Sequence, residues 1–309
     1  MSPRALSALI ALHAATMALA VHTSHAGSGT KGFVFTGVGD KDWCSSASRA
    51  VTNLKELGLK CRGKSPSEPG ACPVAFVGDV AATNRIESEC QGLFEIVSDV
   101  DFGLCGMPER HDASFDVCIR SMSLAPFEYN IQMGMDTIAL SAEVEHIFDV
   151  LQAGYDFTAS LECCARHAKA GFMLADDTTM HGWEMQNGVL GYTSNEAVRN
   201  HARKAIEIFS RPSYPTDLTS GFQNAETQAL SESQVHFLPL PPNFNMRSFT
   251  AVGYKDMPMA LAHFKFNLTS SIPELRKEAH KLVTSFSSMF TSLFGDMHQA
   301  MPFLFRTHG

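Results

Sequence analysis

The 309-residue chain has no block of lysine and arginine, and its 24 basic residues are outnumbered by 32 acidic ones, giving a formal charge of −8. Nucleic-acid binding needs cations clustered on phosphates, so nucleic acid is excluded as a main partner. Gly37-Val38-Gly39 lacks the third glycine of a dinucleotide fingerprint. There is also no P-loop and no G-x-S-x-G elbow, which leaves hydride-transfer and hydrolase chemistry without a motif. After the N-terminal stretch no segment is apolar for long enough to span a bilayer. Cys163-Cys164-x2-His167 starts like a zinc ligand set, but a second pair at zinc-site spacing is missing. Internal repeats and low-complexity tracts are absent too.

What remains is a globular composition, 45% hydrophobic and 18% charged, long enough for one large α/β domain or two small ones. Residues 1–26 carry Arg4, an apolar stretch from Ala5 to Val21, and Ser24-His25-Ala26 before Gly27. This reads as a secretory signal peptide with a small-residue cleavage site, or as an uncleaved signal anchor, the only case in which a membrane is a partner. Either places the domain in the secretory pathway, in the Golgi lumen or outside the cell. Eight cysteines (Cys44, Cys61, Cys72, Cys90, Cys105, Cys118, Cys163, Cys164) then favour disulfides, whose pairing the spacing leaves open. Asn267-Leu268-Thr269 is a glycosylation sequon.

Strand and helix signals alternate along the chain. Lys31 to Val38 is a compact apolar run, followed by Ala50, Val51, Leu54 and Leu57 at helical spacing. Gly63 to Gly70 is a Pro/Ser/Gly loop before a strand from Pro73 to Val77; a helix is expected around Arg85 to Gly92 and a strand from Phe94 to Val97. Further on, a strand is expected at Asp156 to Ser160. Thr193-Ser194-Asn195-Glu196 reads as a capping box for a helix through Phe209, with a strand at Val235 to Leu238. Ser271-Ile272-Pro273-Glu274 opens an amphipathic helix toward Phe294. The pattern predicts an α/β fold, a mostly parallel sheet flanked by helices over residues 27–270, with a C-terminal helix over 271–309 packed on it.

Pro126 to Asp156 is the most informative stretch. Ile131 to Met135 reads as a buried strand, and Ser141 as the cap of a helix carrying Val144, Ile147, Phe148 and Leu151. Asp136 therefore stands where a strand emerges, the edge at which open α/β sheets bind ligands. A carboxylate there can hold a divalent cation against a diphosphate; it can equally be an ordinary turn residue.

In order, GFVFTG, PFEYNIQMGMDT, HIFDVLQAGYD, QNGVLGYTSNEAVRNHARKAIEIF, the ETQAL of Glu226 to Leu230, LPLPPNFNMR and AHFKFN run from Gly32 to Asn267. This ordered set resembles the GT-A glycosyltransferases of the nucleotide-diphospho-sugar transferase superfamily, particularly glycogenin-like and related retaining enzymes. The resemblance implies a GT-A-like (Rossmann-like) fold. It also implies that Asp136 and His263 hold Mn2+ or Mg2+ and that Thr36, Gly37, Asp136, Thr137, Asn187, Gly188 and Lys265 contact the donor. Gln228 and Asp177 are the implied catalytic candidates, Gln228 at the anomeric centre and Asp177, beside Asp176, as a base. Gly134-Met135-Asp136-Thr137 departs from the family's D-x-D-T, because glycine replaces the first carboxylate and should weaken the metal site.

The implied reaction is sugar transfer from a UDP- or GDP-linked donor to a hydroxyl of a glycan, protein or small molecule, with retention of configuration. The rival reading is a secreted GT-A-like module that has lost catalysis and binds carbohydrate or serves as a scaffold.

Overall fold

Seven of the strands form one sheet, in which Lys31–Gly37 and Val74–Gly78 are apolar and buried almost throughout, as strands covered by helices must be. The structure is a computed structural model. It describes residues 30–59, 61, 72–101, 103, 112–161, 172–173, 179–180, 185–211, 221–245, 260–263 and six positions between 273 and 281. The expected leader, Asp176, Asp177, Lys265, Cys163, Cys164 and the Asn267 sequon lie outside the described residues, as does most of the expected C-terminal helix.

Strand β1 (Lys31–Gly37) leads to α1 (Trp43–Glu56), then β2 (Val74–Gly78), α2 (Val80–Glu89), β3 (Ile96–Asp99) and α3 (Asp112–Met122). Next come β4 (Tyr129–Met133), β5 (Thr137–Ala139), a 3-10 turn (Ala142–Glu145), α4 (His146–Gln152) and β6 (Phe157–Leu161). The chain continues through the short pair β7 (Phe172–Met173) and β8 (Thr179–Met180), β9 (Met185–Thr193), α5 (Glu196–Phe209), α6 (Gly221–Glu232), β10 (Phe237–Leu240), a second 3-10 turn (Pro242–Phe244) and β11 (Leu261–His263). No helix among the described residues is long and apolar enough to cross a membrane.

The main sheet has the order β10-β6-β9-β4-β1-β2-β3. All neighbouring pairs are parallel except those of β9, which runs against both β4 and β6. The expected mostly parallel sheet is therefore present. Along β1 the side chains alternate: Phe33 and Phe35 join one core cluster with Trp43, Val51 and Phe76, while Val34 joins another with Val77, Ile119 and Phe127.

Several boundaries differ from the sequence reading. The β4 strand stops at Met133, so Gly134 and Met135 belong to a turn closed by Thr137 N–H donating to the Gly134 carbonyl at 3.0 Å. Ser141 does stand before the next helix, but it makes no side-chain cap, and the first turn is 3-10 rather than α. The α5 helix is capped by Asn195, whose side chain accepts from Val198 N–H at 3.0 Å, and not by Thr193, which is still in β9. A disulfide joins Cys61 to Cys72 and closes a loop the unfolded chain would leave open.

A separate two-stranded sheet pairs β5 antiparallel with β11, placing Thr137 opposite His263. Buried Asn53 of α1 anchors this small sheet by donating to the Ala139 carbonyl at 2.9 Å and accepting from Ala139 N–H at 2.7 Å. Asn53→Ala would strip two buried main-chain groups of their partners, each costing about 1–3 kcal/mol. Chemical denaturation should show a loss of roughly 2–6 kcal/mol on that basis, and Asn53→Asp, which keeps the acceptor but sets a buried carboxylate against the Ala139 carbonyl, should lose at least as much at neutral pH.

Candidate functional site

The turn after β4 and the end of β11 meet at the carboxyl edge of the sheet. Gly134 N–H donates to the Gly188 carbonyl at 2.9 Å, extending the β4–β9 pairing by one bond and fixing the turn against β9. Asp136 projects from that turn with half its side chain exposed, and its Oδ2 lies 3.1 Å from Nε2 of the nearly buried His263. Behind the ring, Nδ1 faces Oδ1 of Asn245 at 3.2 Å, and Nδ2 of Asn245 is buried with no partner among the described residues. A half-turn of that amide would let Nδ2 donate to Nδ1, leaving Nε2–H for Asp136.

Two glycines leave room for this arrangement. A Cβ on Gly188 would collide with the His263 ring, so only glycine lets the imidazole lie on β9. A Cβ on Gly134 would come within 2.7 Å of Asp136 Oδ1, a contact with an exposed side chain that can rotate away.

Asp136 and His263 fit two positions of a metal shell. Their 3.1 Å separation is close to the ~3 Å between adjacent ligands of a six-coordinate ion with bonds of about 2.1 Å. Gly134 adds no donor, and among the described residues no three His, Cys, Asp or Glu side chains converge. The remaining positions would fall to water and ligand oxygens, as magnesium commonly accepts.

One residue back along β9, Asn187 points to the other face because strand side chains alternate. Its Nδ2 donates to Glu226 on α6. Glu226 is wholly buried and forms an ion pair with the equally buried Arg120 on α3. The guanidinium lies 5.5 Å from the ring centres of both Phe157 and Tyr192, and His201 Nε2 lies 3.1 Å from the Glu226 carbonyl oxygen, to which it can donate. Burial lowers the Arg120 pKa, an effect that Tyr192 and Asp116 oppose, and burial raises that of Tyr192. Arg120 Nε and Nη1, Asn187 Oδ1, Tyr192 Oη and His201 Nδ1 are all buried without a partner among the described residues. Buried polar atoms are normally paired, by water or ligand if not by protein, so this connected cluster is equipped to receive hydroxyl groups.

The other sequence candidates are placed as follows. Thr36 ends near the edge with its hydroxyl donating to Asp116 Oδ1 at 2.6 Å, and Gly37 pairs with Gly78. Thr137 is wholly buried beneath the Asp136 turn. Gln228 is also buried and donates to Glu232 at 2.9 Å. Standing two residues from Glu226, it is turned about 200° around α6, so Glu226, not Gln228, faces Asn187. The Asn187-Gly188 pair, which could have been a turn, is inside a strand. Arg120, Tyr192, His201 and Asn245 escaped the sequence reading. The available signal was Asp116 and Arg120 four apart among Val117, Cys118 and Ile119, charges in an apolar helix.

No protein-family model and no curated protein matches this sequence. Solved structures do match. The galactosyltransferase LgtC, in complex with donor and acceptor sugar analogues, superposes with a TM-score of 0.54 at 11% identity, over 83% of this chain and 96% of LgtC. The chain has the GT-A fold. A structure of an active-site mutant of LgtC gives a TM-score of 0.50 at 10% identity, over 82% of this chain and 95% of that one. This GT-A chain thus spans nearly the whole of the enzyme it resembles.

Burial and, secondarily, Arg120 push the His201 pKa from 6.5 down to about 3. A depressed folded-state pKa favours folding above the unfolded value. The contribution is complete above about pH 6.5 and drains away toward about pH 3, at up to about 1.4 kcal/mol per pH unit. Urea denaturation at pH 7, 6, 5 and 4 should show a steeper decline for the wild type than for His201→Gln, which carries no titrating ring.

Proposed function

We propose that this chain is a glycosyltransferase that moves a hexose or pentose from a UDP- or GDP-linked donor to a hydroxyl of a glycan, protein or small molecule. The carrying observation is that the Asp136–His263 pair and the unsatisfied Arg120–Glu226–Asn187 cluster meet at neighbouring residues of one strand. One suits a diphosphate and the other a hydroxyl-bearing ring, and a nucleotide sugar joins those two groups by one bond. LgtC supports the reading through its fold and its capacity to hold donor and acceptor sugar analogues. Retention is supported by the resemblance to retaining enzymes, and a luminal or extracellular setting by the N-terminal sequence and the Cys61–Cys72 bond.

Asp136 and His263 would hold a divalent cation, manganese or magnesium, which when bound would supply charge neutralisation to the departing diphosphate. The chain's own residues position the sugar. Asn187, fixed through Nδ2 by Glu226, presents Oδ1 as an acceptor for a hydroxyl. Arg120 pairs with Glu226 in the interior and offers its unpaired N–H groups to the same ligand. Such dipoles, fixed in place before reaction, cost no reorganisation as the anomeric C–O bond to the diphosphate breaks. The acceptor oxygen then bonds to that carbon, and its proton passes to the released diphosphate. Asp177 as an alternative base and Lys265 as a balancing charge remain part of the proposal.

Calorimetric titration of residues 27–309 with UDP and GDP, with and without manganese, tests this reading. Binding of one nucleotide should require manganese and weaken at least roughly tenfold in Asp136→Ala, about 1.4 kcal/mol. Gly134→Asp, which adds a ligand at the cost of rotating Asp136, should tighten manganese-dependent binding by a similar factor. Absence of binding in every form, Gly134→Asp included, would sink the transferase reading and favour the inactive module.

A further inference from the structure

We infer that Asn245 sets which ring nitrogen of His263 carries the proton, and that its amide turns over when the cation site fills. This deepens the reading of Asp136 and His263 as cation ligands and rests on it. Asn245 is wholly buried and directly follows the 3-10 turn Pro242–Phe244. Phe244 N–H donates to the Pro241 carbonyl at 3.1 Å and Ala260 N–H to the Asn243 carbonyl at 3.0 Å. The turn is thereby tied to the entry of β11 and carries Asn245 to His263. Among the described residues, Asn245 is the hydrogen-bonding partner of His263 Nδ1, at 3.2 Å. Gly188 leaves the space for both groups, since a Cβ there would come within 2.2 Å of Nδ1 and 3.3 Å of Asn245 Oδ1.

The amide has two positions related by half a turn, and each suits one state of the site. With Oδ1 toward the ring, Nδ1–H donates to it, and a neutral ring presents the bare lone pair of Nε2 to Asp136 Oδ2, 3.1 Å away. Two acceptors at that distance repel unless a cation binds both. Asn245 Nδ2 is then buried with no partner among the described residues. With Nδ2 toward the ring instead, Nδ2 donates to Nδ1 and Nε2–H donates to Asp136. The unpaired group is now a carbonyl oxygen, which interiors leave unpaired more readily than a donor.

The second position therefore belongs to the cation-free protein. The first belongs to the loaded one, because a metal-ligating histidine donates its other N–H to an oxygen. As His263 gives Nε2 to the cation, the Nε2 proton leaves to water on the exposed Asp136 side. The ring takes a proton from water at Nδ1 while amide and ring are parted, and Asn245 turns so that Oδ1 accepts it. The ring is neutral before and after. Asn245 is thus a positioning residue, acting through His263.

The test is long-range proton–nitrogen NMR correlation of the full chain carrying nitrogen-15 histidine, at about pH 8, where an ordinary imidazole is neutral. The His263 signal is identified by its loss in His263→Gln. Cation-free wild type should carry the proton on Nε2, and Asn245→Asp, whose carboxylate can only accept, should move it to Nδ1. Magnesium added with UDP or GDP should move the wild-type proton to Nδ1 as well. Asn245→Leu should weaken magnesium-dependent nucleotide binding roughly 10- to 100-fold, and Asn245→Asp should restore most of that loss. A cation-free wild-type ring protonated on Nδ1, or the same proton position in wild type and Asn245→Asp, would overturn the inference. So would nucleotide binding by Asn245→Leu as tight as that of the wild type. The cation-free spectra need no ligand, so they decide the hold of Asn245 on the ring even where neither nucleotide binds and the transferase reading fails; the wild-type spectra decide it where a variant does not fold.

Discussion

The pairing of β4 with antiparallel β9, carried one bond past the strand end by Gly134 N–H to the Gly188 carbonyl, is the constraint on which the rest of the site depends. It fixes the turn that bears Asp136. It also aligns Asn187 and Gly188 so that strand alternation sends one toward Glu226 and leaves the other bare beneath His263. Had β9 run parallel, a crossover would have been needed and the facing residues would differ. Because it is antiparallel, two chemically different half-sites share one strand, and their separation is set by a peptide unit rather than by flexible side chains.

The buried Arg120–Glu226 pair works against stability taken alone. Removing two charges from water costs several kcal/mol per ion, and hydrophobic residues of the same volume often serve a fold as well or better. Here the two rings over the guanidinium and the Asn187 amide recover part of that cost. Atoms of Arg120, Tyr192 and His201 are nonetheless left unpaired. These unpaired buried atoms are what support the proposed sugar-binding role of the cluster. Burial within the same cluster, and secondarily the charge of Arg120, account for the depressed His201 pKa.

Much of the sheet was legible in the sequence. Lys31–Gly37 and Val74–Gly78 are short apolar runs, buried almost throughout, which is what parallel strands between helix layers look like. The α3 and α6 helices were not legible, because their inward faces carry Asp116, Arg120, Asn224, Glu226 and Gln228, which breaks the apolar periodicity that marks a helix. The β9 strand was obscured in the same way, since Gln186-Asn187-Gly188 has turn composition and acquires strand geometry from its two neighbours. Asp136 was legible as a carboxylate at a strand's end and His263 only through the family resemblance, and their apposition across the small β5–β11 sheet needed the coordinates. The proposed site thus lies where local sequence rules failed, as polar sites in a core tend to do.

Gly134 decides how the proposed site must operate. With two protein donors in place of three, the chain alone would hold a divalent cation weakly. The exposed Asp136 carboxylate instead satisfies itself on His263 at 3.1 Å, an interaction worth about 1 kcal/mol or less at the surface. That bond is weak enough to yield to a cation arriving with a diphosphate, whose oxygens would fill the remaining positions and whose charge would supply most of the attraction. Cation and donor would then bind as one unit, each making the other's affinity, which is the reciprocal coupling linkage demands. In the proposed site the direct Asp136–His263 bond would meanwhile hold both side chains where that unit needs them, so glycine at 134 would shift the burden of metal binding from protein to substrate without dismantling the geometry.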